Sequence, residues 1–146
     1  MNILIIYKSY SKMNTEKVAK TMAEAMKATL KKVDEVGPEE IARYDLVGFG
    51  SGIYMGKYHK SLFKLLKKVP RLDKDVFLFH TAGGPDEKYD KRMEELLTGK
   101  GARIVGKFRC PGAAGLLGFT WANKGHPDVQ DLENARAFAK RLVEGE

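Results

Sequence analysis

Short apolar runs alternate along this chain with stretches whose apolar residues recur at helical spacing. Ile3-Leu4-Ile5-Ile6-Tyr7 is an unbroken apolar run rich in β-branched residues, the pattern of a strand buried on both faces. Val18, Met22, Ala25, Met26 and Leu30 then recur at helical spacing behind Asn14-Thr15-Glu16, where Asn14 or Thr15 can cap the first turn. A short strand is expected over Leu30 to Val36, ended by Gly37-Pro38, and a buried strand over Asp45 to Gly50. Leu62, Phe63, Leu65, Leu66 and Val69 predict a helix that stops before Pro70, and Val76-Phe77-Leu78-Phe79 a fourth strand. Pro85-Asp86 opens a further helix with Tyr89, Met93, Leu96 and Leu97 inward, ended by Gly99 or Gly101. Ala102 to Phe108 is a fifth strand. A Gly-rich segment follows, and Pro127-Asp128 with Asp131 starts a last helix carrying Val129, Leu132, Ala135, Phe138 and Leu142.

Strands alternating with helices imply right-handed βαβ units and a parallel sheet with helices on both faces. The fold class expected is α/β, a doubly wound five-stranded parallel sheet of order 2-1-3-4-5, forming one domain over residues 1–146. Ligands of such sheets bind beyond the carboxyl ends of the strands, where the strand order reverses. That rule singles out three loops, at 8–15, 50–59 and 80–86.

Composition narrows the class further. Hydrophobic residues make up 43% and charged residues 31%, the balance of a soluble globular domain. The longest nearly uncharged stretches, Leu46 to Gly56 and Pro111 to Asn123, fall short of the ~20 residues a membrane-spanning helix needs. The first residues carry no basic n-region or cleavage site, so a cytoplasmic home is expected. A single cysteine, Cys110, excludes an internal disulfide, and no CxxC or Cys/His cluster offers zinc or iron–sulfur ligation.

The three loops carry small, polar and glycine residues. Lys8-Ser9-Tyr10-Ser11-Lys12-Met13-Asn14-Thr15 sets hydroxyls and a basic side chain immediately before a helix N-terminus. Unpaired N–H groups and a positive dipole end make that an anion cradle, although Ser and Asn also serve as simple caps. It has neither the glycines of a Walker loop nor its Lys-Ser/Thr pair. Gly50-Ser51-Gly52-Ile53-Tyr54-Met55-Gly56-Lys57-Tyr58-His59 allows the main chain to approach a flat ligand, with Tyr54 the strongest stacking candidate. His80-Thr81-Ala82-Gly83-Gly84 supplies a second wall of small residues.

With these loops in order, the chain resembles the flavodoxin family over nearly its whole length. The first loop is similar to Ser-x-x-x-Gly-Asn-Thr, here Ser9 through Asn14-Thr15, with Met13 standing where relatives place glycine. Gly50-Ser51-Gly52-Ile53-Tyr54, Gly56-Lys57, Cys110-Pro111-Gly112 and Asn123-Lys124-Gly125-His126-Pro127-Asp128 extend the likeness. The resemblance implies non-covalent flavin mononucleotide (FMN). Its phosphate would lie against Ser9, Ser11, Lys12, Met13, Asn14 and Thr15, and its ring between Ser51, Gly52, Ile53, Tyr54, Met55, Gly56, Lys57 and Thr81, Ala82, Gly83, Gly84. It further implies that the peptide at Gly56 turns over on one-electron reduction to present its carbonyl to flavin N5.

The function expected is an electron carrier between redox proteins. The alternative is an FMN-dependent reductase that takes hydride from NAD(P)H for a quinone or another small acceptor. A flavin-free receiver module is disfavoured, since Lys8-Ser9 and Gly50-Ser51 stand where its acidic cluster and aspartate belong. His59, His80 and His126 are not at metal-ligand spacing and suit capping or loop roles. Cys110 suits a small buried hydrophobe, and Trp121 either covers the ring or fills the core.

The net charge is +7, with 26 Lys+Arg against 19 Asp+Glu. Between Lys57 and Arg71 every charged residue is basic, and Lys57, Lys60, Lys64, Lys67 or Lys68 and Arg71 recur at helical spacing. The stripe is read either as a solvated face or as a docking face for an acidic redox partner through Lys57, Lys60, Lys64 and Lys67. No aromatic-interleaved motif points to nucleic acid.

Overall fold

A computed structural model describes residues 1–9, 14–116, 119–122 and 125–145. Strands β1 (Ile3–Lys8), β2 (Thr29–Lys32), β3 (Leu46–Tyr54), β4 (Lys57–Tyr58), β5 (Asp75–Ala82) and β6 (Arg103–Pro111) build the main sheet. Helices α1 (Asn14–Met26), α2 (Lys60–Lys67), α3 (Lys91–Gly99) and α4 (Val129–Glu144) cover it, and β7 (Ala114–Leu116) pairs with β8 (Phe119–Ala122) in a separate hairpin. The five parallel strands stand in the order β2-β1-β3-β5-β6, and β4 is a short antiparallel addition to β3. With β4 set aside this is the expected 2-1-3-4-5 order.

Alternation along the strands divides the core between two faces. Leu4, Ile6, Val47, Phe49, Val76 and Leu78 pack with Leu62, Leu66, Met93 and Leu97 of α2 and α3. Ile3, Ile5, Tyr7, Phe77 and Phe79 pack on the other side with Val18 and Met22 of α1 and Ala135 and Phe138 of α4. Glycine is required inside β3 because the rings of β5 lie across it. A Cβ on Gly48 would sit 2.2 Å from Phe77 Cζ, and one on Gly50 2.0 Å from Phe79 Cζ. A methyl group at either place would force a buried ring out of position.

Three elements differ from their sequence-based expectations. The strand expected over Leu30 to Val36 ends at Lys32, where the Glu35 carboxylate accepts from the Lys32 N–H and closes a 3-10 turn at Val33–Glu35. The helix expected from Pro85-Asp86 begins as a 3-10 turn at Glu87–Asp90, because the Asp90 carboxylate turns inward, 1% exposed. Val129, expected on the core face of α4, is 78% exposed, since the Asp128–Asp131 capping box directs the first turn outward. No described helix is long and apolar enough to cross a membrane.

Candidate functional site

Sheet register brings the three loops to one edge. Lys8 stands beside Ser51, Gly52 beside Thr81, and Thr81 beside Cys110, so β1, β3, β5 and β6 end side by side. The strand order reverses at β1/β3, and α1 begins just beyond that point. Cys110 lies buried at this edge. Burial and the carboxylates of Asp131 and Asp128 push the Cys110 thiol up to about 12, which keeps it protonated and unreactive at neutral pH.

The start of α1 is tied to both neighbouring strand ends. The hydroxyls of Thr15 and Thr81 share a hydrogen bond of 2.8 Å, with Thr15 1% and Thr81 3% exposed. Asn14 Nδ2 donates to the Ala113 carbonyl at 2.9 Å, and the Gly112 N–H donates to the Ala82 carbonyl at 3.0 Å. Gly112 passes so close to Asn14 that a Cβ there would lie 2.7 Å from Nδ2. Ser9 Oγ accepts from the Glu16 N–H at 3.3 Å, which leaves its own proton available to an anion. Glu16 is held away by the Tyr7 phenol, whose O–H donates to it at 2.6 Å, and by Lys20. Burial, and after it the contact with Glu16, raises the Tyr7 pKa. Ser11, Lys12 and Met13 lie outside the described residues, as do Tyr10 and the side chain of Trp121.

The second wall is a hairpin. Tyr54 pairs with Lys57, and the two residues between them, Met55 and Gly56, have φ of +53° and +78°. Two central residues at positive φ make a type I′ turn, the connection that matches strand twist. Met55 is 98% exposed at its tip. Tyr54 folds back over Gly52, where a Cβ would lie 3.0 Å from its hydroxyl, and meets the His59 ring edge-on at 5.1 Å. Ile53 packs against the core rather than into the site. Ser51 is fully buried; its hydroxyl donates to the Gly52 carbonyl and accepts from the His59 N–H at 2.9 Å. Its contribution is to close the loop. His59 in turn caps α2, accepting from the Ser61 N–H, and burial with nearby Lys8 and Lys60 lowers its pKa, as an acceptor nitrogen requires. In the third loop Gly83 and Gly84 are exposed, and a Cβ on Gly84 would meet open space.

His80 corrects an expectation. It occupies neither a cap nor a loop but lies fully buried within β5. His80 Nδ1 is 2.9 Å from Asp90 Oδ1, which also accepts from the Tyr58 hydroxyl at 2.6 Å. Burial, with the neighbouring Asp90 carboxylate, raises the Tyr58 pKa well above the ordinary value. Nothing in the local pattern announced this trio, because its members are 10 and 32 residues apart. Gly112, already part of the Cys110-Pro111-Gly112 likeness, and Ala113 were not expected to hold Asn14; the further signal was a glycine directly after a strand's carboxyl end.

Two buried side-chain atoms find no partner among the described residues, Asn14 Oδ1 and His80 Nε2. The Ala113 carbonyl fixes the orientation of the Asn14 amide, so the orphan is an acceptor. A buried acceptor beside a helix N-terminus suits a ligand that brings both an anion and hydroxyl groups. A ribityl phosphate does so, and FMN fits this donor and acceptor set.

A parallel sheet in this strand order, with a small-residue crevice at its switch point, defines the doubly wound class of α/β domain. Comparison specifies it further: the chain belongs to the flavodoxin domain family, whose model matches residues 4–125. It is 45% identical to an uncharacterized protein of Methanocaldococcus jannaschii, with 98% of this chain and 99% of that one covered. Among solved structures it is similar to Flavodoxin 2 of Bacillus cereus (TM-score 0.75, 23% identity, 100% of both chains). It is also similar to a flavodoxin from the domain Archaea (TM-score 0.74, 16% identity, 99% of this chain and 98% of that one). At these identities the structural likeness is one of fold.

Proposed function

We propose that this protein binds FMN without covalent attachment and carries electrons between redox proteins. The observation that carries the reading is the convergence, at one sheet edge, of the α1 N-terminus, the Met55-Gly56 hairpin and the 81–84 loop, with the unpaired Asn14 Oδ1 among them. When bound, FMN supplies one- and two-electron redox chemistry at its ring; the chain supplies position and electrostatics.

Ser9, Asn14 and Thr15 surround the start of α1, where the helix dipole and unpaired N–H groups favour a phosphate. In the Thr15–Thr81 pair one hydroxyl donates to the other, so one proton remains to be given to an anion. Ser11, Lys12 and Met13 belong to the same loop by sequence. Gly52, Tyr54, Met55 and Gly56 form one flank of the ring site, and Ala82, Gly83 and Gly84 the other. Lys57, at the foot of the hairpin, would set a cation beside the bound ring and so favour the negative charge that reduction adds.

The reductase alternative differs in how the flavin is reduced. The anaerobic flavoprotein mixed with NADPH should keep its oxidised spectrum over minutes, yet bleach with stoichiometric dithionite. Rapid bleaching by NADPH alone would replace the carrier with a reductase.

A further inference from the structure

A groove of about 280 Å³ runs from the β3–β4 hairpin between α2 and α3, lined by Lys57, Lys60, Phe63, Lys64, Lys67 and Arg92. Five of these six residues are cations, and none is acidic. Among the described residues none of the five forms an ion pair, whereas Arg71, at the end of the stripe, is neutralised by Asp73 at 2.6 Å. Arg92 comes from α3, on a different stretch of chain, so the groove is more cationic than the helix stripe alone. Phe63 is the one uncharged side chain in its lining. Its upper end, at Lys57, adjoins Met55, the exposed apolar tip of the candidate flavin site.

We propose that this groove is the docking site of an acidic protein. Five unneutralised cations around one aromatic ring match a partner face that presents several carboxylates around an apolar contact. Continuity with Met55 sets that partner against the hairpin rather than on a remote surface. The proposal rests on the carrier reading for the partner's role, but not for its binding. A solvated face with no partner would show the same charges but no saturable binding.

The test uses a plant-type [2Fe–2S] ferredoxin, an acidic protein, as probe. Its dissociation constant is measured by calorimetry for the full chain with and without flavin, at about 20 and 300 mM salt. One-to-one binding at low salt should weaken at least tenfold at high salt, because screening shortens the reach of the charges. Lys60→Glu with Lys64→Glu should weaken it at least tenfold, consistent with the ~10–1000-fold reach of charge steering. Lys60 opens α2, where an acidic residue suits the helix dipole, whereas Lys64 lies in its last turn. Circular dichroism therefore checks the fold of the double variant, and Lys60→Glu with Lys64→Gln, expected to weaken binding in the same direction, replaces it if the fold is lost. Lys140→Glu with Arg141→Glu, an equal change of charge on α4 across the sheet, should alter binding less than twofold. Amide shifts should concentrate at 57–67 and 92. No saturable binding, or equal losses in both double variants, overturns the proposal. So does tighter binding of a 12-nucleotide single strand, lost with the same two lysines. Docking that persists in a protein unable to bind FMN would overturn the carrier reading alone.

Discussion

The Thr15–Thr81 hydrogen bond joins the first turn of α1 to the end of β5, and its removal has a calculable outcome. Thr→Val keeps the shape of the side chain and replaces only the hydroxyl. Both hydroxyls are buried, so Thr15→Val strands the Thr81 hydroxyl, and leaving one buried polar group unpaired costs about 1–3 kcal/mol. Thr81→Val strands Thr15 at a similar cost. In a chain of 146 residues each single variant should therefore melt about 3–9 °C lower. The double variant strands neither, and should lie within about 1 kcal/mol of the parent. Urea unfolding followed by circular dichroism gives all four corners of the cycle, and the coupling should be ~1 kcal/mol or more. Flavin affinity should behave differently. The double variant has lost the spare proton of the pair, and one hydrogen bond to a charged phosphate is worth ~1.5–3 kcal/mol, so FMN should bind about tenfold more weakly or worse. Additive stability losses would show that the two hydroxyls do not pair. Unchanged FMN affinity in the double variant would remove the pair from the phosphate site.

Gly56 is already at φ +78° with no neighbour within 4 Å of a Cβ, so Gly56→Val should destabilise the protein by about 1–2 kcal/mol through its backbone alone, measured by urea unfolding; no loss would mean the turn is not type I′. The hydrogen bond His126 Nδ1 donates to the Asp131 carboxylate, with the charges of Asp131 and Asp128, raises the His126 pKa. That stabilisation is full below the ordinary imidazole value of ~6.5 and is lost as pH rises through the raised folded value. The melting temperature of the parent, relative to His126→Gln, should accordingly fall between pH 6 and 8, and a constant difference would contradict the pairing. Cys110, with its thiol pushed up to about 12, should react with a disulfide reagent at pH 8 only after denaturation.

The fold was legible where a strand is buried on both faces, because unbroken runs such as Ile3 to Tyr7 have few other homes. It was less legible at β2, an edge strand whose Lys31 is half-buried against Glu40 and whose Lys32 is exposed, and where one carboxylate on Glu35 ends the strand early. The three loops of the site followed from strand order alone. What they do internally did not. Ser51 looks like a ligand donor in sequence, yet its hydroxyl is taken by the loop it closes. The His80–Asp90–Tyr58 trio and the Arg92 side of the basic groove depend on contacts between distant segments, which no local periodicity encodes. Lys57 was expected on the helix stripe; it stands on β4, and the hairpin rather than helical spacing brings it to Lys60.

The central claim, a site built for FMN at the α1 N-terminus, is tested most directly by titrating the flavin-free protein with FMN and with riboflavin. The two ligands share a ring and differ by the phosphate. Two or more hydrogen bonds to that phosphate, at ~1.5–3 kcal/mol each, predict one-to-one FMN binding with riboflavin weaker by about 100-fold or more. Equal affinity for the two, or no binding of either, would contradict the account.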